Sequence, residues 1–348
     1  MSETSRESNF ELLRIFSIIL ILFHHFSLNY GENVGWGGTF LFDFLYLGGQ
    51  IGVNCFVLIT GFFMVKSKIK IERIISIILQ TTVFSSILFC ICVVIGEKSF
   101  SVREVGSAVL PILFNTYWYV TTYVGLFFLI PIINRLLRVL DKEKYLMLLT
   151  ILTVKDVLLP TIACNYLTSN LDRFIELYCI GGFIRMFEHN KDTNKWWKVC
   201  SGFSYLILYI SVITAEIIGK YIPGILKHKF YFTAGNKIIV MFISVSIFMM
   251  FKEMKVKDSN VVNKIGAATF GIYIFHAVYG EKIIWKNLLR ADRFDYTNVL
   301  LSSIYIISAI VFMFVLGLGA DIVYKKSIGK LFKQMRFIKL NSKLNFDD

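Results

Sequence analysis

Residues 9–26 read NFELLRIFSIILILFHHF, an apolar run whose polar members are Asn9, Glu11, Arg14, Ser17, His24 and His25. A helix needs roughly 20 such residues to cross the hydrocarbon core of a bilayer, so this stretch predicts a membrane helix. At ~100° and ~1.5 Å per residue, Arg14 and His25 share one helix face about 16 Å apart. Glu11 lies three residues before Arg14, near the same face. His24 is rotated about 80° away from Arg14 in projection. Ionisable groups inside a membrane helix are costly and rare, so the stripe marks a candidate functional site.

The rest of the chain repeats the apolar theme. Of 348 residues, 56% are hydrophobic and 16% aromatic, 18% are charged, and mean hydropathy is +0.64. Soluble domains carry about 25% charged residues. The 33 phenylalanines and four prolines suit helices packed in lipid. The expectation is an all-α polytopic membrane protein. Ten candidate spans can be drawn, at about 10–28, 45–65, 74–96, 117–134, 145–163, 170–187, 199–218, 236–251, 265–284 and 298–324. Lys155 and Asp156 interrupt the fifth, and Arg173 and Glu176 the sixth. The first run is too long, and too charged at Arg14, for a cleavable signal peptide.

A net charge of +13 invites a nucleic-acid partner until its distribution is read. With the N-terminus placed in the cytoplasm, inward loops hold 24 lysines and arginines and outward loops nine. The alternation follows the positive-inside rule, puts both termini in the cytoplasm, and leaves no need for nucleic acid. Residues 1–324 are expected to form one membrane domain, and 325–348 a basic cytoplasmic tail resting on anionic lipid. The six cysteines fall in no redox or zinc spacing, and no metal-ligand cluster is expected.

Arginine presents a donor fork suited to phosphate or carboxylate, and histidine suits general base work near neutrality. A snorkelling arginine and a histidine capping a bundle would fit the same residues. The first inner loop, Lys66-Ser67-Lys68-Ile69-Lys70-Ile71-Glu72-Arg73, ordinarily sets topology. It also offers Lys70 and Arg73, with Arg14, as a cluster for a large anionic cofactor such as coenzyme A. Gly48, Gly49, Gly52 and Gly61 in span two permit close helix approach, while Gln50, Asn54 and Thr60 are candidates to line a polar cavity with span one. Tyr117-Trp118-Tyr119 ordinarily belongs to an interfacial belt, and its rings also suit stacking on sugars. His276, in span nine, either bonds a neighbouring carbonyl or takes a direct part.

Taken together these stretches resemble the acyltransferase-3 family of integral membrane acyltransferases. The family signature, an acidic residue, two apolar residues, Arg or Lys, then ten residues and His, is matched by Glu11-Leu12-Leu13-Arg14 with His25. Gly52-Val53 through Phe62, Tyr117-Trp118-Tyr119 through Pro131, and Gly271-Ile272-Tyr273-Ile274-Phe275-His276 resemble the later motifs, in order, over some 270 residues. A basic pair three apart in the first inner loop also corresponds, with Lys70 where the family has arginine.

The resemblance implies an acyl-CoA-dependent O-acyltransferase of the bacterial cytoplasmic membrane. Acetyl-CoA is the expected donor, and a surface polysaccharide or lipid-linked glycan the expected acceptor. Arg14 and His25 carry over as the essential pair, with Lys70 and Arg73 beside Arg14 on the donor phosphates. Glu11, Trp118 and His276 are the expected supporting residues. His25 stands either as general base or as transient acyl carrier. Rival expectations are a relative acylating a lipid or small molecule, and a transporter or flippase that transfers no group. Transporters often carry inverted repeats, and none is visible.

Overall fold

The computed structural model describes residues 7–31, 36–163, 168–188 and 194–334. Most of the basic tail, 335–348, and His189 lie outside the described residues. The helices in chain order begin with α1 (Ser8–Tyr30), α2 (Trp36–Tyr46), α3 (Gly48–Met64), α4 (Ile71–Val94) and α5 (Val102–Val109). There follow α6 (Trp118–Val139), α7 (Lys142–Thr153), α8 (Leu159–Ile162), α9 (Asn170–Phe187), α10 (Asn194–Gly219) and α11 (Pro223–Leu226). The series ends with α12 (Ile238–Lys252), α13 (Asn260–Gly266), α14 (Thr269–His276), α15 (Val299–Lys326) and α16 (Ile328–Gln334). No strand occurs among the described residues.

Among the described residues eight helices are long and apolar enough to cross a membrane, or nine if one bent pair is counted as a span. All-helical spans are what the bilayer demands, because each backbone N–H and C=O must find a partner inside its own segment. The sixth expected span, α9, is helical too, yet too charged to pass on composition alone. Its two central charges turn inward: Arg173 and Glu176 are both buried, while Arg185 near its end is exposed. Lys155 and Asp156 fall in a π-helical stretch, Val154–Leu158, that joins α7 to α8 without ending the span. They pair with each other at 3.1 Å, and Lys155 also reaches Asp172. The charges of α9 find partners beyond it as well: Arg173 Nη1 donates to Gln50 of α3, and Glu176 Oε1 accepts from Thr153 of α7.

The chain divides into two compact units. The first comprises Met1–Lys66, Asn134–Gly266 and Tyr296–Ser303, and α3 lies at its centre against α1, α9 and α12. Glycines set the spacing. A Cβ on Gly52 would sit 2.5 Å from the Ser17 carbonyl oxygen of α1. On Gly61 and Gly181 it would meet the Tyr178 and Leu58 carbonyl oxygens at 2.2 and 2.4 Å, so α3 and α9 touch backbone to backbone. In lipid, helix association draws on such close packing. Phe10, Phe62, Phe63 and Phe248 add a cluster of rings with centroids 5.0–5.7 Å apart.

The second unit comprises Ser67–Ile133, Ala267–Asp295 and Ile304–Asp348. Here α4 packs against α5 and α14. The single ninth span expected at 265–284 is instead broken. Asn260–His276 and Glu281–Leu288 are bent by 70° about the intervening residues. Val278 takes φ +64°, a left-handed conformation that strains a β-branched residue. Gly280 lies against the Phe275 carbonyl, leaving no room for a side chain at the turn.

Candidate active site

The first unit positions α1 through its polar ends. Ser8 Oγ donates to Asn263 Oδ1 at 2.9 Å, and Asn9 Nδ2 donates to the carbonyls of Phe251 and Lys252. At the far end Gly31 N–H closes on Ser27, whose hydroxyl donates to the Phe42 carbonyl at 2.7 Å. Between these anchors Arg14 is partly exposed, and its Nη1 donates to Glu11 Oε1 at 3.1 Å. Glu11 is buried, and the backbone of Gly266 packs directly on it: a Cβ there would lie 2.3 Å from Oε2. A buried carboxylate one turn away therefore holds the guanidinium from one side.

Eleven residues on, the two histidines differ. His24 is buried, and a Cβ on Gly49 would come within 2.2 Å of its ring. Its Nδ1 lies 2.6 Å from the Tyr46 carbonyl oxygen. A carbonyl only accepts, so Nδ1 carries the proton and the tautomer is set. The Tyr46 ring covers it at 4.3 Å. His25 is half-exposed, with its ring 5.7 Å from that of His24. The packed neighbour fixes this end of α1, and His25 keeps the more accessible imidazole.

The remaining expected residues fall in the second unit. Lys70 precedes the first residue of α4, Arg73 lies in its first turn, and both side chains are exposed. Trp118 opens α6, half-buried, with its ring edge-on to Tyr119 at 6.2 Å. That helix continues past Pro131 to Val139. His276 is fully buried at the end of α14, where Nδ1 donates to the Ile272 carbonyl at 3.0 Å and Tyr273 and Trp285 flank the ring. That geometry matches a histidine satisfied by its own helix.

Of the polar residues expected along span two, Gln50 and Asn54 do face polar partners. Asn54 Nδ2 donates to the Gly235 carbonyl at 2.9 Å and to Ser244 Oγ at 3.3 Å. Gln50 Oε1 accepts from Arg173 Nη1 at 2.6 Å. Thr60 turns back to the Phe56 carbonyl of its own helix. The sequence reading passed over Tyr46 and Gly235, which shape this region, while Gly49, read as a site of close helix approach, meets the His24 ring. Arg173 was read as an interruption of a span; the capping box that Ser169 makes with Asp172, three residues on, was the available signal of a true helix start.

A family model described as an acyltransferase domain matches residues 7–318, nearly the whole chain. No curated protein and no solved structure matches the chain.

Proposed function

The chain belongs to the acyltransferase-3 family, and on that premise we propose that it moves an acetyl group from cytoplasmic acetyl-CoA to a hydroxyl of a cell-surface glycan or its lipid-linked precursor, in the bacterial cytoplasmic membrane. It is a membrane acyltransferase; the donor, acyl group and acceptor are the proposed part. The observation that carries the assignment of roles is the contrast along α1. Arg14 is braced by buried Glu11 at one end, and half-exposed His25 stands beside packed His24 at the other.

In this proposal Arg14 engages a donor phosphate, with Lys70 and Arg73 supplying further positive charge for the same donor. His25 takes the proton of the acceptor hydroxyl as its oxygen attacks the thioester carbonyl. The C–S bond then breaks, the acetyl ester forms, and CoA leaves as a thiolate that receives the proton. A variant path has His25 carry the acetyl group between two such attacks. Glu11 acts as a positioning residue for Arg14. Trp118 is assigned to stacking on the sugar, and His276 to supporting the second unit's packing.

Release of free CoA thiol in membranes containing the protein, supplied with acetyl-CoA and bacterial surface glycan, tests the proposal. Acceptor-dependent release, with label from the acetyl group recovered on the glycan, is expected. Movement of glycan across vesicles with no thiol release would instead favour transport.

A further inference from the structure

Between α4 and α6, in the second unit, the chain carries Phe100, Val102, Val109, Leu110, Leu113 and Phe114, all exposed, Val102 by 93% and Leu113 by 79%. The loop charges make this connection an outward one. Exposed apolar side chains gathered so densely mark an interaction surface rather than a loop in water.

At ~100° per residue, α5 within this connection has three faces. Val105 and Ala108 turn to the protein, where they pack with Leu88, Phe89, Cys92 and Tyr279. Arg103, Glu104 and Ser107 form a polar face, and Lys98 pairs with Glu104 at 2.9 Å. Val102 and Val109 share the third face with Gly106. The Phe114 ring folds onto Gly106, where a Cβ would lie 2.9 Å from it, and so widens the apolar stripe. Ser101 caps the helix by accepting from the Glu104 N–H, which fixes these directions from the first turn. A helix with one face on protein, one polar and one bare and apolar suits a boundary between water and hydrocarbon.

The packing partners give its depth. Glu72 and Arg73 keep the first turn of α4 out of the hydrocarbon, so a core of about 30 Å runs from about Ile74 to Val93. Leu88 and Cys92 then lie about 2–8 Å inside its far boundary. With the N-terminus in the cytoplasm, that boundary is the outer one. Helices lying in the plane of a leaflet bury their apolar face by about 5–10 Å. The bare flank of α4, with Ile87, Ile91 and Val94 exposed, rises to the same level.

We propose that residues 100–114 form an in-plane shelf whose partner is the outer leaflet of the bilayer, with acyl chains covering Val102, Val109, Leu113 and Phe114 and headgroups meeting Arg103. The occupant is lipid because the face lies at membrane depth and runs on from the lipid-facing flank of α4. An arginine at such a boundary keeps its guanidinium among the headgroups. The shelf does not depend on the acyltransferase reading. It makes this connection part of the membrane surface rather than a loop open to soluble glycan.

With the native cysteines replaced by alanine, single cysteines at Val102, Arg103, Ser107, Val109 and Leu113 are nitroxide-labelled in the full chain. Collision with oxygen, which concentrates in acyl chains, and with a water-soluble nickel chelate is measured at one chain per nanodisc. The oxygen-to-nickel ratio should peak at 102, 109 and 113 and fall at 103 and 107, following a period of about 3.6 residues along α5. Each position reports alone, so a variant that fails to fold leaves the others decisive. Nickel collisions as frequent at 102 and 109 as at 103 would put the face in water and overturn the proposal. Shielding of 102 and 109 from both reagents would mean that protein covers the face, and would overturn it equally. In intact cells Arg103→Cys should react with a membrane-impermeant maleimide; reaction in opened cells alone would remove the outer-leaflet assignment.

Discussion

His24 and His25 are adjacent in the chain and opposite in surroundings, and the difference arises from one glycine. Gly49 lets α3 lie against the His24 ring, where any Cβ would collide at 2.2 Å. His24→Phe should therefore act on stability, through the lost bond to the Tyr46 carbonyl, by about 1 kcal/mol. Its measure is the thermal midpoint in detergent, and substantial transfer should remain. His25→Ala should leave that midpoint near normal and lower transfer by about 100-fold or more, the usual scale of a lost general base. A different residue effect belongs to Glu11. Glu11→Gln keeps the packing on Gly266 and removes the brace on Arg14, so a rise in KM for acetyl-CoA is expected, larger than any fall in kcat. The Arg14–His25 face was legible because a helix of fixed pitch converts spacing into direction. The roles of Gly49 and Tyr46 were not, since they depend on which neighbouring helix comes near.

Among the elements, α3 and α9 illustrate why some helices were plain in the sequence and others obscure. Their contact is backbone on backbone, so Gly61→Val must push the helices apart. No rotamer can relieve a Cβ 2.2 Å from the Tyr178 carbonyl oxygen. A loss of about 1–3 kcal/mol is expected, read as a lowered unfolding midpoint. Gly202 in α10 meets nothing within 4 Å, and Gly202→Ala should be neutral or raise stability by about 0.5–1 kcal/mol. The apolar runs that became α1, α3, α4 and α15 announced themselves by hydropathy. The α9 segment did not, because Arg173 and Glu176 make it polar in composition while both are buried. Hydropathy presumes that charge seeks water; a helix in the middle of a bundle can bury charge against partners that no single segment displays. The break near Val278 escaped notice for the converse reason. The sequence Gly271 to Gly280 stays apolar through a turn made by backbone geometry.

For the molecule as a whole, the alternation of basic loops is the most direct statement of topology, and it is testable. With native cysteines replaced, Lys257→Cys should react with a membrane-impermeant maleimide only in opened cells, and Lys227→Cys in intact ones. Stability should also vary with pH through the second unit's outward ion pair. Glu97 accepts from Lys286 Nζ at 2.8 Å, and that bond holds its carboxyl below the ordinary carboxylate range. A depressed folded pKa means that the contribution is present above the unfolded value of about 4.3. It is lost as pH falls through the lower folded value. Wild type should therefore exceed Glu97→Gln in thermal midpoint near neutrality, and the two should converge in acid.

The family assignment and the membrane architecture extend over most of the chain, whereas the chemistry rests on one helix. The decisive measurement is transfer of labelled acetyl from acetyl-CoA to surface glycan by membranes carrying the intact chain, Arg14→Ala, His25→Ala or His24→Ala at equal, verified insertion. The intact chain should transfer, His24→Ala should retain activity in proportion to its folded fraction, and Arg14→Ala and His25→Ala should lose essentially all of it. Near-normal transfer by His25→Ala together with its loss in folded His24→Ala would contradict the assignment of the base.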